Sequence, residues 1–131
     1  MFLEQLKNDQ EKESFMKLAY QVATADGSFG LPEVKMMNLF EQETGVKDWQ
    51  TNKVPLSLSQ ISTIFSDDLS RKIIYSNLLA IGVSEEYENS PQTKLIGKIR
   101  ESLAISDKDE QDYRSWMKII KGSYLPRYYM D

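Results

Sequence analysis

The feature that most restricts this chain is the spacing of its apolar residues, which recur at three- and four-residue intervals in runs separated by Gly, Pro and Ser. Phe15, Leu18, Ala19, Val22 and Ala23 fall on one face of a helix, while Glu11, Lys12 and Lys17 fall mostly on the other. A half-buried strand needs apolar residues at every second position, and no segment sustains that alternation. The pattern therefore specifies an all-α fold. It predicts a single-domain bundle of about six to seven helices spanning residues 1–131.

Punctuation marks place the elements. Phe2, Leu3 and Leu6 can share one face of a short opening helix, broken near Asn8 and Asp9. A stronger helix is predicted over residues 10–25 and closed at Asp26-Gly27, where a glycine can take the left-handed conformation. Pro32 and Glu33 suit the first turn of the next helix, whose stripe of Val34, Met36, Met37 and Phe40 ends at Thr44-Gly45. The three methionines Met16, Met36 and Met37 read as core filling or as an adaptable groove. Residues 49–56 form a connection, and Ser57 or Ser59 caps a short helix carrying Leu58, Ile61, Ile64 and Phe65. Asp67-Asp68 opens a helix in which Leu69, Ile73, Ile74, Leu78, Leu79 and Ile81 form a face broad enough for a central position. After a polar stretch at 84–90, Pro91 restarts a helix with Leu95, Ile96, Ile99 and Leu103. Ser106 and Asp109 begin the last one, bearing Tyr113, Trp116, Met117 and Ile120 and ended by Gly122. The aromatic tail, residues 121–131, is expected to pack back on the bundle.

Two halves follow one plan. Ala25-Asp26-Gly27 aligns with Ala80-Ile81-Gly82, and Pro32-Glu33-Val34-Lys35-Met36 aligns with Pro91-Gln92-Thr93-Lys94-Leu95. The repeat predicts two helical hairpins that pair and bury their apolar faces together.

Composition removes several functions. There is no cysteine, so disulfides, thiolate metal sites and thiol nucleophiles are excluded, and no histidine, which removes the commonest general base. A net charge of −4 opposes binding to a phosphate backbone, so no nucleic-acid partner is expected. The apolar run at 78–83 is too short to cross a bilayer, so no membrane insertion is expected and a cytoplasmic location follows. The charge is uneven, with the acidic surplus in the first 50 residues.

Asp26 and Glu33 bracket the first hairpin loop and can bring two carboxylates to one point beside a helix N-terminus. With oxygen donors alone, such a site suits Ca²⁺, Mg²⁺ or Mn²⁺, with Ser28 or loop carbonyls completing it. Counted from Asp26, position 6 is Leu31 and position 12 is Met37, which excludes a standard EF-hand loop. The structural alternative has Asp26 accepting from loop amides, Gly27 making the turn and Glu33 complementing the helix end. The acidic clusters Glu85-Glu86-Glu88 and Asp107-Asp109-Glu110-Asp112 read as solvated charge. The second of them complements the last helix's N-terminus, and Arg114, Lys118 and Lys121 complement its other end. Gly27 and Gly30 follow a helix rather than a strand and lack the Lys-Ser/Thr of a phosphate loop.

The segment FMKLAYQVATADGSFGLPEVKMMNLF, residues 15–40, resembles the first half of the TerB-like (tellurite-resistance protein B) domain, with Ala25, Asp26, Gly27 and Glu33 matching its motif. Residues 71–116 are similar to its second half, so the resemblance covers about 10–120. It implies an all-helical bundle of two pseudo-repeated halves and a non-enzymatic, cytoplasmic, bacterial interaction or sensing module. It further implies a link to tellurite and other chemical stress, a protein partner, and a divalent-cation site at Asp26 and Glu33. The chain departs from the family at Ile81 and Gln92, where the second acidic pair would stand. A reading from the residues alone is a small hydrolase or lyase using carboxylates, metal-assisted, with Asp26 or Glu33 as general base. A third is a structural subunit of a larger assembly.

Overall fold

A computed structural model describes residues 2–49, 54–82 and 90–123, with the backbone alone described at Gly82 and over 116–123. Among the described residues the chain is all-helical, with no strand. After a 3-10 turn (Leu3–Gln5) come α1 (Asp9–Ala23), α2 (Leu31–Thr44), α3 (Leu58–Ile64), α4 (Asp68–Gly82), α5 (Pro91–Leu103) and α6 (Asp107–Ser123). Among the described residues no helix is long and apolar enough to cross a membrane.

Local chemistry explains where each begins. The Asn8 side chain accepts from the Glu11 amide and opens α1, and Ser57 and Gln60 form a reciprocal capping box on α3. Ser90 accepts from the Thr93 amide ahead of Pro91, and Ser106 Oγ accepts from the Asp109 amide at 3.1 Å. Helix α2 ends at Gly45, whose φ of 78° is open to glycine at little cost. Ala104 takes φ 56° at the end of α5, a conformation that strains a non-glycine residue.

The two expected hairpins are present: α1 packs on α2, α4 packs on α5, and the pairs meet where α1 lies against α4. Helix α4 also carries α6, which gives it the central position expected of its broad apolar face. Phe15, Leu18, Val22, Met37, Phe40, Ile74, Tyr75 and Leu78 are fully buried. Phe15 meets Phe40 edge to face with centroids 5.1 Å apart, locking α1 to α2. Met16, Met36 and Met37 are at most 1% exposed, so core filling is their role.

Several expectations are corrected. Helix α1 stops at Ala23, and Gly27 (φ 83°) makes a separate turn in which its amide donates to the Thr24 carbonyl at 2.9 Å. In the second copy the aligned Ala80-Ile81-Gly82 is still helical, and Ala80 and Ile81 are buried. Leu69 is exposed, and so is Phe2, while Leu3 and Leu6 are buried. Glu11, expected on the solvent side of α1, is 1% exposed. Gly122 lies inside α6, which continues to Ser123. Residues 83–89 with the Glu85-Glu86-Glu88 cluster, the tail from 124, and the side chains of Trp116, Met117, Lys118, Ile120 and Lys121 lie outside the described residues.

Polar groups tie the helices at three points. Glu11 Oε1 accepts from Ser70 Oγ on α4 at 2.7 Å and from the Lys7 amide at 3.3 Å, and Lys7 Nζ lies 3.6 Å from Oε2. Arg71 donates to the carbonyls of Phe65, Ser62 and Leu103, gathering the ends of α3 and α5. Glu110, read from sequence as simple helix-end charge, accepts from Tyr75 at 2.8 Å and pairs with Arg100 (2.8 Å) and Arg114 (3.1 Å). Arg114 therefore serves this network rather than the far end of α6. Burial, then the hydrogen bond to Glu110, pushes the Tyr75 hydroxyl well above the usual tyrosine range. Burial also raises Tyr113, which packs against Tyr75, and the bond to Asp107 raises Arg100 further.

Candidate functional site

The loop between α1 and α2 carries the carboxylates singled out in the sequence. Asp26 Oδ1 accepts from both the amide of Ser28 (3.0 Å) and its hydroxyl (2.9 Å), an Asx turn that uses one carboxylate oxygen locally. Asp26, Gly27 and Ser28 are exposed. Glu33, in the first turn of α2, is half-buried and folds back over Gly30, its Oε2 lying 3.3 Å from where a Gly30 Cβ would stand. The loop is pinned from below by Phe29, whose ring packs against Tyr20 on α1 at 5.5 Å and Trp49 at 6.1 Å. Among the described residues, no three acidic side chains converge as a metal-ligating group.

The residue aligned with Glu33 in the second copy has a different duty. Gln92 is 1% exposed, and its Nε2 donates at 3.1 Å to the carbonyl of Ala23, the last residue of α1. A glutamate there could not donate to that carbonyl, and its charge would be buried. Gln92 thus serves as a cap on the C-terminal end of α1. Gln92 Oε1 is buried without a hydrogen-bond partner among the described residues.

A second feature was not foreseen from the sequence. Between the first half of α1 and the connector after α2 runs a groove of about 360 Å³, lined by Asp9, Glu13, Val46 and Asp48. It continues into a narrower recess of about 60 Å³ beside Met16 and Trp49, and Glu13, Val46 and Asp48 line both parts. The connector wall is held from several sides. Trp49 Nε1 donates to Glu41 Oε1 at 2.9 Å, the Trp49 ring packs on Tyr20 at 6.1 Å, and the Val46 amide donates to Thr44 Oγ1 at 3.2 Å. The groove is therefore preorganised rather than a gap between mobile strands of chain.

Its charges are mixed, with Lys47 and Lys17 sharing the lining with Asp9, Glu13 and Asp48. Asp9 and Glu13 stand one helical turn apart, where like charges repel. Asp9 is compensated by the positive N-terminal end of α1, but Glu13 lies beyond the first turn. Among the described residues neither carries a salt bridge or side-chain hydrogen bond, although Lys17 is one turn from Glu13 and lines the recess. The readable signal in the sequence was the i,i+4 acidic pair. What it lacked was the connector, which brings Val46, Asp48 and Trp49 alongside from the far end of α2.

Searched against protein-family models, curated proteins and solved structures, the chain matches none of them.

Proposed function

We propose that this chain is a non-enzymatic helical interaction module whose role is to bind another protein, with a weak divalent-cation site at Asp26 and Glu33 as a secondary feature. The observation that carries this reading is the preformed groove beside α1, in which Asp9 and Glu13 have no salt bridge or side-chain hydrogen bond among the described residues. A rigid concave surface with unsatisfied charge gains more from a ligand than a flexible one. The absence of histidine and cysteine argues for binding over turnover. The resemblance of residues 15–40 to TerB-like domains supports a stress-related setting inside a bacterial cell.

Affinity capture with the 131-residue chain tests the binding role: the captured protein, purified separately, is expected to rebind the chain in calorimetry. Failure of every captured protein to rebind would remove the reading. The cation clause rests on Glu33 folding back toward the loop and is tested separately. Titration with Ca²⁺, Mg²⁺ and Mn²⁺ is expected to give heats in the wild type that Asp26→Ala abolishes, and equal negligible heats in both would delete the clause.

A further inference from the structure

The loop between α1 and α2 joins a carboxylate to a glycine nitrogen in a turn open to water. We infer that Asp26-Gly27 is a site of spontaneous covalent modification: the Gly27 backbone nitrogen attacks Cγ of Asp26, assisted by Ser28, and the chain is rerouted through the side chain as isoaspartate.

The step balances without an oxidant or a cofactor. The protonated Asp26 carboxyl and the Gly27 N–H lose one water between them as the N–Cγ bond forms and the Cγ–Oδ2 bond breaks, which leaves a succinimide ring. Water then opens the ring at either carbonyl. Cleavage of the N–Cγ bond restores aspartate, whereas cleavage between the nitrogen and the backbone carbonyl carbon of Asp26 leaves isoaspartate of unchanged mass.

Three observations place the reaction here. Asp26 is the sole Asp or Asn in the sequence followed by glycine; Asp9, Asp48, Asp67, Asp68, Asp107, Asp109 and Asp112 each precede a residue whose Cβ crowds the attacking nitrogen. Asp26, Gly27 and Ser28 are exposed, and nothing among the described residues lies within 4 Å of the place a Gly27 Cβ would take, so the loop has room for the ring. Asp26 Oδ1 already accepts from the Ser28 amide at 3.0 Å and the Ser28 hydroxyl at 2.9 Å. Both donors face the oxygen on which negative charge gathers as the nitrogen adds to Cγ. One tie opposes the attack: the Gly27 amide donates to the Thr24 carbonyl at 2.9 Å, and this turn must open first. Exposed loops open at low cost. The product carries its carboxylate directly on Cα and breaks the turn with Ser28.

The test incubates the 131-residue chain in mildly acidic buffer beside a synthetic peptide of residues 22–32, together with the Ser28→Ala form of each. Circular dichroism follows whether the chain and its variant stay folded. Isoaspartate is quantified by enzymatic methyl transfer from S-adenosylmethionine and located by electron-transfer fragmentation. It is expected at position 26, and at none of the other aspartates, over the time in which the peptide converts. Ser28→Ala should slow its formation about fivefold in the folded chain, the effect of one lost hydrogen bond, and far less in the peptide, where no fold holds the turn. Four results would each overturn the inference: no isoaspartate in the chain once the peptide has converted, accumulation centred on another aspartate, an unchanged rate in Ser28→Ala, or equal slowing in chain and peptide.

Discussion

Helix α1 carries three acidic residues within five positions, and they divide into two kinds. Glu11 is buried against α4, where Ser70, the Lys7 amide and the Lys7 ammonium surround it. Asp9 and Glu13, two positions to either side, face the groove without a partner among the described residues. A helix turns by about 100° per residue, so neighbours two apart point to nearly opposite faces. The same chemical group thus acts as an internal tie on one face and as unsatisfied surface charge on the other. A charge held in place by its own fold contributes to stability, and one left unsatisfied is available to a ligand.

The sharpest way to break that contrast is to remove the tie. Glu11→Ala should lower unfolding free energy by about 3 kcal/mol in urea titrations, because it leaves Ser70 Oγ and the Lys7 amide without their acceptor inside the fold. A loss near zero would place Glu11 with the idle surface acids. Gln92→Glu should follow, at about 2 kcal/mol, since it removes the donor to the Ala23 carbonyl and introduces a buried charge. Replacement by Met at the same position should cost less than Glu, which separates lost bonding from buried charge.

Tyr75→Phe sharpens the contrast through pH. Glu110 keeps both arginines in this variant, so the loss at neutral pH should be about 1 kcal/mol. Above pH 10 the order should change. The Tyr75 hydroxyl is raised in the folded state, so the native protein holds a proton that the unfolded chain releases. That stability is fully present below the ordinary tyrosine value near 10 and declines as pH rises toward the folded value. Wild type should therefore lose stability more steeply than Tyr75→Phe in alkaline unfolding curves. Parallel curves would mean that Tyr75 titrates alike in both states.

The smallest effect belongs to the groove acids. Asp9→Asn with Glu13→Gln should leave the thermal midpoint unchanged or slightly raised, because relief of their mutual repulsion offsets the weaker match of Asp9 to the helix end. A marked drop would show that the groove face carries structural duty after all.

Helix number, order and caps were legible because they depend on neighbours in sequence. The Pro32 and Pro91 starts, the Ser57 and Ser106 caps and the glycine stop at Gly45 all stand as read, since each satisfies a helix end within a few residues. The opening of α1 at Asn8 belongs to the same class, whereas the burial of Glu11 does not, because its partner Ser70 lies 59 positions away. Asp26 is legible as a loop carboxylate that accepts from loop amides, as it does in its Asx turn with Ser28.

Local patterning suffices for an all-helical chain of two hairpins, because apolar spacing and end-capping act over one or two turns. Which polar residues are enclosed and which stand open is settled by helix docking. Glu11 meets Ser70 across 59 positions and Gln92 meets Ala23 across 69. The groove likewise exists only where the chain after α2 returns to the flank of α1. Contacts of that kind depend on how rigid helices are docked, and no local pattern of residues encodes the docking.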